Sequence, residues 1–249
     1  MTFLSGPLPR IIAHRGLAVG APENTLLAFL RALNAGATHL ETDVHASADG
    51  VAVISHDPDL SRVAGRAVRV GQLTMPELRR IQLGDGQSYC SLADALDAFP
   101  DARFNIDIKD LASAAPAAAA ILKARATDRV LITSFDEKRR RAAVDALPGV
   151  ASSASVSRVL PAIAAAKAGS TSAVRRALRG LVAVQVPERQ GPLRLVSRRT
   201  VRILHDAGVE VHVWTVNDPA DMTRLLDLGV DGLVTDRCDT LKALVDARI

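Results

Sequence analysis

Short apolar runs alternate with longer amphipathic or alanine-rich stretches from one end of the chain to the other. Nine runs have the length and composition of strands: RIIAH (10–14), HLETDV (39–44), VAVIS (51–55), RFNIDIK (103–109), RVLITSF (129–135), VASSAS (150–155), LVAVQV (181–186), VEVHVWTV (209–216) and DGLVTD (231–236). Helices are predicted near 23–35, 91–98, 115–126, 136–147, 157–168, 197–207, 218–227 and 238–247. Strand and helix alternating at this density imply parallel strands joined by helical crossovers. The 249 residues allow one large domain, and no linker divides them. The expected fold is therefore α/β, a TIM (β/α)8 barrel occupying 1–249 as a single domain.

Nine candidates compete for eight barrel positions. VAVIS follows HLETDV across only HASADG, too short for a crossover helix, so this unit either lacks its helix or includes a hairpin. VASSAS is the least strand-like run. Residues 58–89 follow neither period over most of their length and are expected to form a small insertion after the third strand region. The stretch ASAAPAAAAILKARA reads as an ordinary helix, because alanine is the best helix former and Pro116 is tolerated in a first turn.

Strand parity brings in the chemistry. Glu41 and Asp43 point to one face while Leu40, Thr42 and Val44 point to the other; Asn105, Asp107 and Lys109 likewise oppose Phe104, Ile106 and Ile108. The outer face of a parallel barrel packs on apolar helices, so the polar sets belong inside. Three converging carboxylates are costly to ionise without a cation. A hard divalent ion answers that need, with Mg²⁺, Ca²⁺ or Mn²⁺ preferred by an all-oxygen donor set. Ion pairing with Lys109 or Arg15 is the alternative. His14 and His56 both end apolar runs, at the barrel edge where active sites form. One neutral and one protonated imidazole there could serve as general base and general acid.

Composition sets bounds on partners. The chain is 48% hydrophobic and only 3% aromatic, which points to a core of Ala, Val, Leu and Ile. A formal charge of +4, spread along helices, gives no basic block for nucleic acid. Two cysteines, Cys90 and Cys238, suit neither a disulfide framework nor a zinc site, so a reducing cytoplasm is expected. MTFLSGPLPR lacks the features of an export signal, and no run approaches the roughly 20 apolar residues of a membrane span, so no stable membrane anchor is expected.

Eight segments, in order, resemble the motifs of the glycerophosphodiester phosphodiesterase family: HRG (14–16), PENT (22–25), ETDV (41–44), HDPDLSRVAG (56–65), LTMPEL (73–78), NIDIK (105–109), WTVN (214–217) and DGLVTD (231–236). The resemblance implies a metal-dependent barrel hydrolase of lipid and glycerol metabolism that converts small glycerophosphodiesters to glycerol 3-phosphate and an alcohol. It implies His14 and His56 as the acid-base pair, and Glu41, Asp43 and Asp107 as metal ligands. Arg15 and Lys109 would bind phosphate, Trp214 would pack on glycerol, and Glu23 and Asn24 would brace the site. Position 107 departs from the family pattern, which often has Glu, and Cys238 stands where proline is commoner. Cys238 is expected to be a helix-start residue without a catalytic role.

Two rival activities remain at this level. A lysophospholipid or sphingolipid phosphodiesterase would need an apolar approach surface, for which 58–89 offers only scattered Leu60, Val63, Val68, Val70 and Leu73. A barrel that binds phosphoesters without turnover would not need both histidines and all three carboxylates. Four further histidines are expected to be structural: His39 at the far end of the barrel, His45 in the loop beyond the strand, His212 in the core and His205 on a helix surface. Oligomeric state is not encoded in any of these patterns.

Overall fold

Alternation of Val, Ile and Leu with polar or small residues gives each strand one face for the helices and one for the barrel interior. A computed structural model describes residues 2–248. The barrel strands, with one extra strand, are β1 Arg10–Ala13, β2 His39–Ala46, β3 Ala52–Ile54, β4 Phe104–Ile108, β5 Val130–Thr133, β6 Ala151–Ser152, β7 Ala183–Val186, β8 Glu210–Val213 and β9 Gly232–Thr235. Their hydrogen-bonded order is β6-β5-β4-β2-β1-β9-β8-β7, all neighbours on this path being parallel. A bridge between Ser153 and Ala183 joins the two ends of the path and completes an eight-stranded barrel. The fold is a TIM barrel.

The ninth run, VAVIS, supplies β3, which pairs antiparallel with β2 as the returning arm of a hairpin. VASSAS contributes the two-residue β6, a short strand but a full member of the barrel.

Nine helices of seven or more residues accompany the strands among the described residues: α1 Leu26–Asn34, α2 Leu92–Ala98, α3 Ala114–Lys123, α4 Glu137–Val144, α5 Val156–Ala168, α6 Thr171–Ala177, α7 Arg198–Asp206, α8 Pro219–Asp227 and α9 Cys238–Asp246. Helix α6 was not expected; its seven residues, TSAVRRA, are too few to establish a period. Outward strand residues such as Leu40, Phe104, Ile106, Ile132, Val184 and Leu233 join the inner faces of the helices in one apolar cluster. Phe29 of α1 meets Phe104 edge to face at 5.8 Å. Truncating Phe104 to alanine in that layer should cost about 3–5 kcal/mol.

The inner face is different. Near the strands' N-terminal ends, Arg10 donates from Nε and Nη2 to the Glu210 carboxylate at 2.7 and 2.6 Å. His212 Nε2 lies 3.0 Å from the same carboxylate and its Nδ1 lies 3.4 Å from Gln185 Nε2. Asn105 Nδ2 donates to Gln185 Oε1 at 3.3 Å, so a polar column rises through the barrel toward its other end. Phe3 plugs the bottom, its ring 4.6 Å from His39 and its carbonyl oxygen 2.8 Å from His39 Nε2.

Residues 58–89 build two short hairpins and two one-turn helices around a small apolar cluster of their own. Leu60 and Val70 are buried in it, and Val63, Val68 and Leu73 pack against it.

Candidate active site

The C-terminal ends of the strands surround a cavity of about 600 Å³. His14 follows β1, Glu41 and Asp43 lie on β2, His56 follows β3, and Asp107 and Lys109 come from the end of β4; all line this space with Arg15 and Trp214. Parallel register sets Asp43 directly beside Asp107 and Glu41 beside Asn105. Eight of the ten residues singled out in the sequence therefore share one cavity. Glu23 and Asn24 stand just behind it, lining a smaller neighbouring cavity that also touches His56.

The HRG and PENT motifs are held by an unusual backbone. Arg15 and Asn24 both adopt φ of 56°, a left-handed conformation uncommon for residues with side chains. The Asn24 N–H donates to the Arg15 carbonyl at 2.9 Å and locks the two turns together. Gly16 follows at φ 82°, where an added Cβ would lie 2.7 Å from the backbone carbon of Ala28. Only glycine lets the turn pass so close to α1.

Both histidines are oriented by a carboxylate. His14 Nδ1 lies 2.7 Å from Asp236 Oδ1, and His56 Nδ1 lies 2.8 Å from Asp57 Oδ1. Asn217 Nδ2 donates to the other Asp236 oxygen at 2.6 Å, fixing that carboxylate in turn. With Nδ1 engaged, Nε2 is the nitrogen left for proton transfer. Burial pulls the His14 pKa down, but the Asp236 hydrogen bond and the Glu41 charge outweigh it, and the net shift is upward from 6.5.

Carboxylates and cations interlock at the centre. Lys109 Nζ lies 2.8 Å from Asp43 Oδ1 and 2.7 Å from Asp107 Oδ2. Arg15 Nε is 3.5 Å from Asp43 Oδ2, and Arg15 Nη1 donates to Glu23 at 3.0 Å. Asn24 Nδ2 donates to Asp43 Oδ2 at 3.0 Å, and the Arg15 N–H donates to Glu41 Oε2 at 2.9 Å. Burial and the neighbouring Asp43 push Glu41 up to about 8, and burial also raises Asp107. Burial opposes ionisation of Asp43 as well, but Lys109 overcomes it and holds Asp43 below its usual value.

The donor chemistry fits a hard divalent cation: three buried carboxylates on adjacent strands, with Asp107 Oδ1 buried and lacking a hydrogen-bond partner. Ion pairing with Lys109 and Arg15 is also present, and Lys109 bridges Asp43 and Asp107. Among the described residues, no three His, Cys, Asp or Glu side chains are gathered as an ion would gather them.

Parity reasoning missed several contributors. Asp236 and Asn217 close the DGLVTD and WTVN motifs, and their strand-end positions matched that of His14, which was the available signal. Arg62 of the insertion donates to Asp57 at 2.6 Å and also bonds Glu23, tying the insertion to the site. The HDPDLSRVAG segment (56–65) contains it, but strand parity does not reach a residue of the insertion. His45 is not in a loop: it belongs to β2, and its Nδ1 lies 2.8 Å from Asp110 Oδ2. His39 and His212 are buried, His205 is exposed on α7, and Cys238 begins α9 fully buried.

The glycerophosphoryl diester phosphodiesterase family pattern matches residues 14–240. The chain belongs to that family. A probable glycerophosphodiester phosphodiesterase 2 of Mycobacterium tuberculosis is 43% identical over 239 residues, 95% of this chain and 90% of that protein. A glycerophosphodiester phosphodiesterase of Caldanaerobacter subterraneus is 29% identical, covering 94% and 97%. Among solved structures, an Oleispira antarctica phosphodiesterase in complex with the product sn-glycerol-3-phosphate superposes with a TM-score of 0.80 at 24% identity, over 96% of this chain and 97% of that one. The Thermotoga maritima family member gives 0.72 at 28% identity, over 94% and 98%.

The cavity has two unlike halves. Strands β1 to β4 contribute the charged residues, whereas β5 to β8 and their loops contribute Phe135, Val156, Val159, Leu160, Val186, Leu193 and Leu195 with Trp214. Trp214 is half-buried, its ring 5.7 Å from Phe135 and edge-on to it.

Proposed function

We propose that this chain hydrolyses glycerophosphodiesters to glycerol 3-phosphate and an alcohol, with His14 and His56 as the proton carriers. The observation that carries this reading is that two histidines, each with Nδ1 bound to a carboxylate, line one cavity with Arg15 and Lys109. His14, whose pKa is raised, is assigned as general acid: Nε2–H protonates the departing alkoxide. His56 is assigned as general base, with Nε2 accepting the proton of the attacking hydroxyl. Arg15 and Lys109 neutralise the phosphoryl oxygens, and Trp214 packs on the glycerol. Glu23 orients Arg15, and Asn24 orients Asp43.

Glu41, Asp43 and Asp107 are the residues assigned to hold a divalent cation, Mg²⁺ or Ca²⁺ with Mn²⁺ as a third choice. Bound there, such an ion supplies positive charge to the phosphoryl group. Among the described residues no helix is long and apolar enough to cross a membrane. Two buried free thiols, Cys90 and Cys238, support a reducing cytoplasmic setting.

The test is a screen of glycerophosphocholine, glycerophosphoethanolamine and glycerophosphoglycerol with each metal, reading glycerol 3-phosphate. Release of glycerol 3-phosphate supports hydrolysis. Saturable binding of these diesters without product would instead identify a phosphoester-binding barrel.

A further inference from the structure

Residues 146–205 carry ten Lys and Arg and one carboxylate, Glu188, while the chain as a whole has 31 Lys and Arg against 27 Asp and Glu. Everything outside this sector is therefore net acidic, and the small overall charge conceals a segregated one. The lone carboxylate is already used, since Glu188 pairs with Arg194 and Arg224. Folding gathers arginines that are dispersed in the sequence. Helix α6 packs on α5 and α7, and Arg175 Nη2 donates to the Asp206 carbonyl at the C-terminal end of α7. On α7, Val201, Ile203 and Leu204 are buried while Arg198, Arg199 and Arg202 are exposed. On the α6 side, Val174 and Leu178 are buried while Arg175, Arg176 and Arg179 are exposed. None of these six arginines forms an ion pair among the described residues.

Stability alone does not explain this arrangement. Arg198 and Arg199 occupy the first turn of α7, where the helix dipole disfavours cations, and that turn has no acidic residue. Six like charges on two packed helices repel one another with no carboxylate to offset them. An anionic partner would offset them. Neither cavity of the catalytic site is lined by any of the six, so the face suits a broad charged surface, not a small ligand held in a pocket.

We propose that the face formed by α6 and α7 docks reversibly on an anionic lipid bilayer, its arginines pairing with lipid phosphates. Two observations favour a bilayer over nucleic acid. The hairpin between β7 and α7, Arg189–Gln190 with Leu193–Arg194, holds Leu193 at 46% exposure between two arginines, the pairing of apolar and cationic side chains that suits a membrane interface. Residues 136–213 contain no Phe, Tyr or Trp, so the face has no ring on which bases could stack. The hairpin leads directly into Arg198 at the catalytic end of the barrel, so the docked protein holds its cavity mouth close to the leaflet. Docking sets where the protein resides and is independent of which diester it cleaves.

The test is flotation of the full chain with phosphatidylcholine vesicles and with vesicles in which about one-third of the lipid is phosphatidylglycerol. At low salt the protein should float with the anionic vesicles only, and most of that binding should be lost at about 1 M salt, where charges are screened beyond about 3 Å. Each cation close to an anionic leaflet contributes about a fivefold gain in partitioning, so Arg198→Glu with Arg202→Glu should weaken binding by about 25-fold or more. Arg176→Glu with Arg179→Glu should weaken it to the same degree, which keeps the test decisive if the first pair disturbs α7. All four positions lie outside the catalytic cavity, so both double variants should leave turnover of soluble glycerophosphocholine unchanged. Absence of flotation with anionic vesicles at low salt, or flotation that both charge-reversed pairs leave intact, would overturn the assignment. Tighter binding to double-stranded RNA than to the vesicles, abolished by the same reversals, would also overturn it and identify a nucleic-acid surface.

Discussion

Asp236 accepts a hydrogen bond from His14 Nδ1 at 2.7 Å, and this contact decides which state of the imidazole is favoured. A carboxylate on Nδ1 stabilises the protonated ring and aims Nε2–H into the cavity. Burial works against that protonation, yet the net His14 pKa is raised. Turnover that needs protonated His14 should persist at pH 6.5 and fall along a limb above it. Asp236→Asn removes the charge and should move that alkaline limb to lower pH, with kcat reduced by some part of the roughly 10²–10⁴ that a general acid contributes. Asn217→Ala should act in the same direction through Asp236. A limb unmoved by Asp236→Asn would show that another group sets it.

The pairing of Lys109 with Asp43 and Asp107 bears on the metal. Exhaustive chelation should abolish turnover, and Mg²⁺, Ca²⁺ or Mn²⁺ should restore it. Glu41→Gln should raise the metal concentration needed for half-maximal activity, as loss of a charged oxygen ligand weakens a hard-ion site. Full activity after chelation would mean that Lys109 and Arg15 neutralise the phosphate without an ion.

Trp214 is the only tryptophan, so its emission reports on the cavity alone. Saturating glycerol 3-phosphate should change the fluorescence intensity or wavelength, and Lys109→Met should weaken the half-saturation point. An emission spectrum indifferent to saturating product would argue against Trp214 as the glycerol platform.

His39 gives the fold a pH dependence. Burial, with the Arg10 charge second among the opposing effects, pushes its pKa down to about 3, so it is neutral in the native state over most of the acid range. The unfolded chain binds a proton there near pH 6.5, so stability present above that pH is lost as pH falls toward 3. The contribution is about 2 kcal/mol between pH 6.5 and 5. Urea unfolding should show the wild-type protein losing more stability over that interval than His39→Gln. Parallel losses would assign the acid sensitivity elsewhere.

Strand alternation alone makes much of this architecture legible in the sequence. Glu41, Asp43, Asp107 and Lys109 could be placed inside because their strand neighbours Leu40, Ile106 and Ile108 needed helices to cover them. The nine-for-eight excess resolves with VAVIS as the returning arm of a hairpin, one of the two outcomes that six intervening residues allow. Other contacts are not written in any one segment. Asp236 bonds His14 from 222 positions away, and Asn217 bonds Asp236 across 19 positions, through contacts that barrel closure creates. The apolar side of the cavity draws on strand ends and loops at 135, 156–160 and 193, each too brief to form a pattern, whereas the scattered apolar residues of 58–89 pack on one another.

The account's central claim is that His14 and His56 act as paired proton carriers on a glycerophosphodiester held by Arg15 and Lys109. Its most direct measurement is steady-state release of glycerol 3-phosphate from glycerophosphocholine by wild-type, His14→Ala and His56→Ala proteins with divalent metal present. The account predicts turnover by the wild-type protein and a loss in kcat of about 10²- to 10⁴-fold in each variant, with glycerol 3-phosphate still bound by both. Near-normal turnover with an unchanged pH profile in either variant would contradict it.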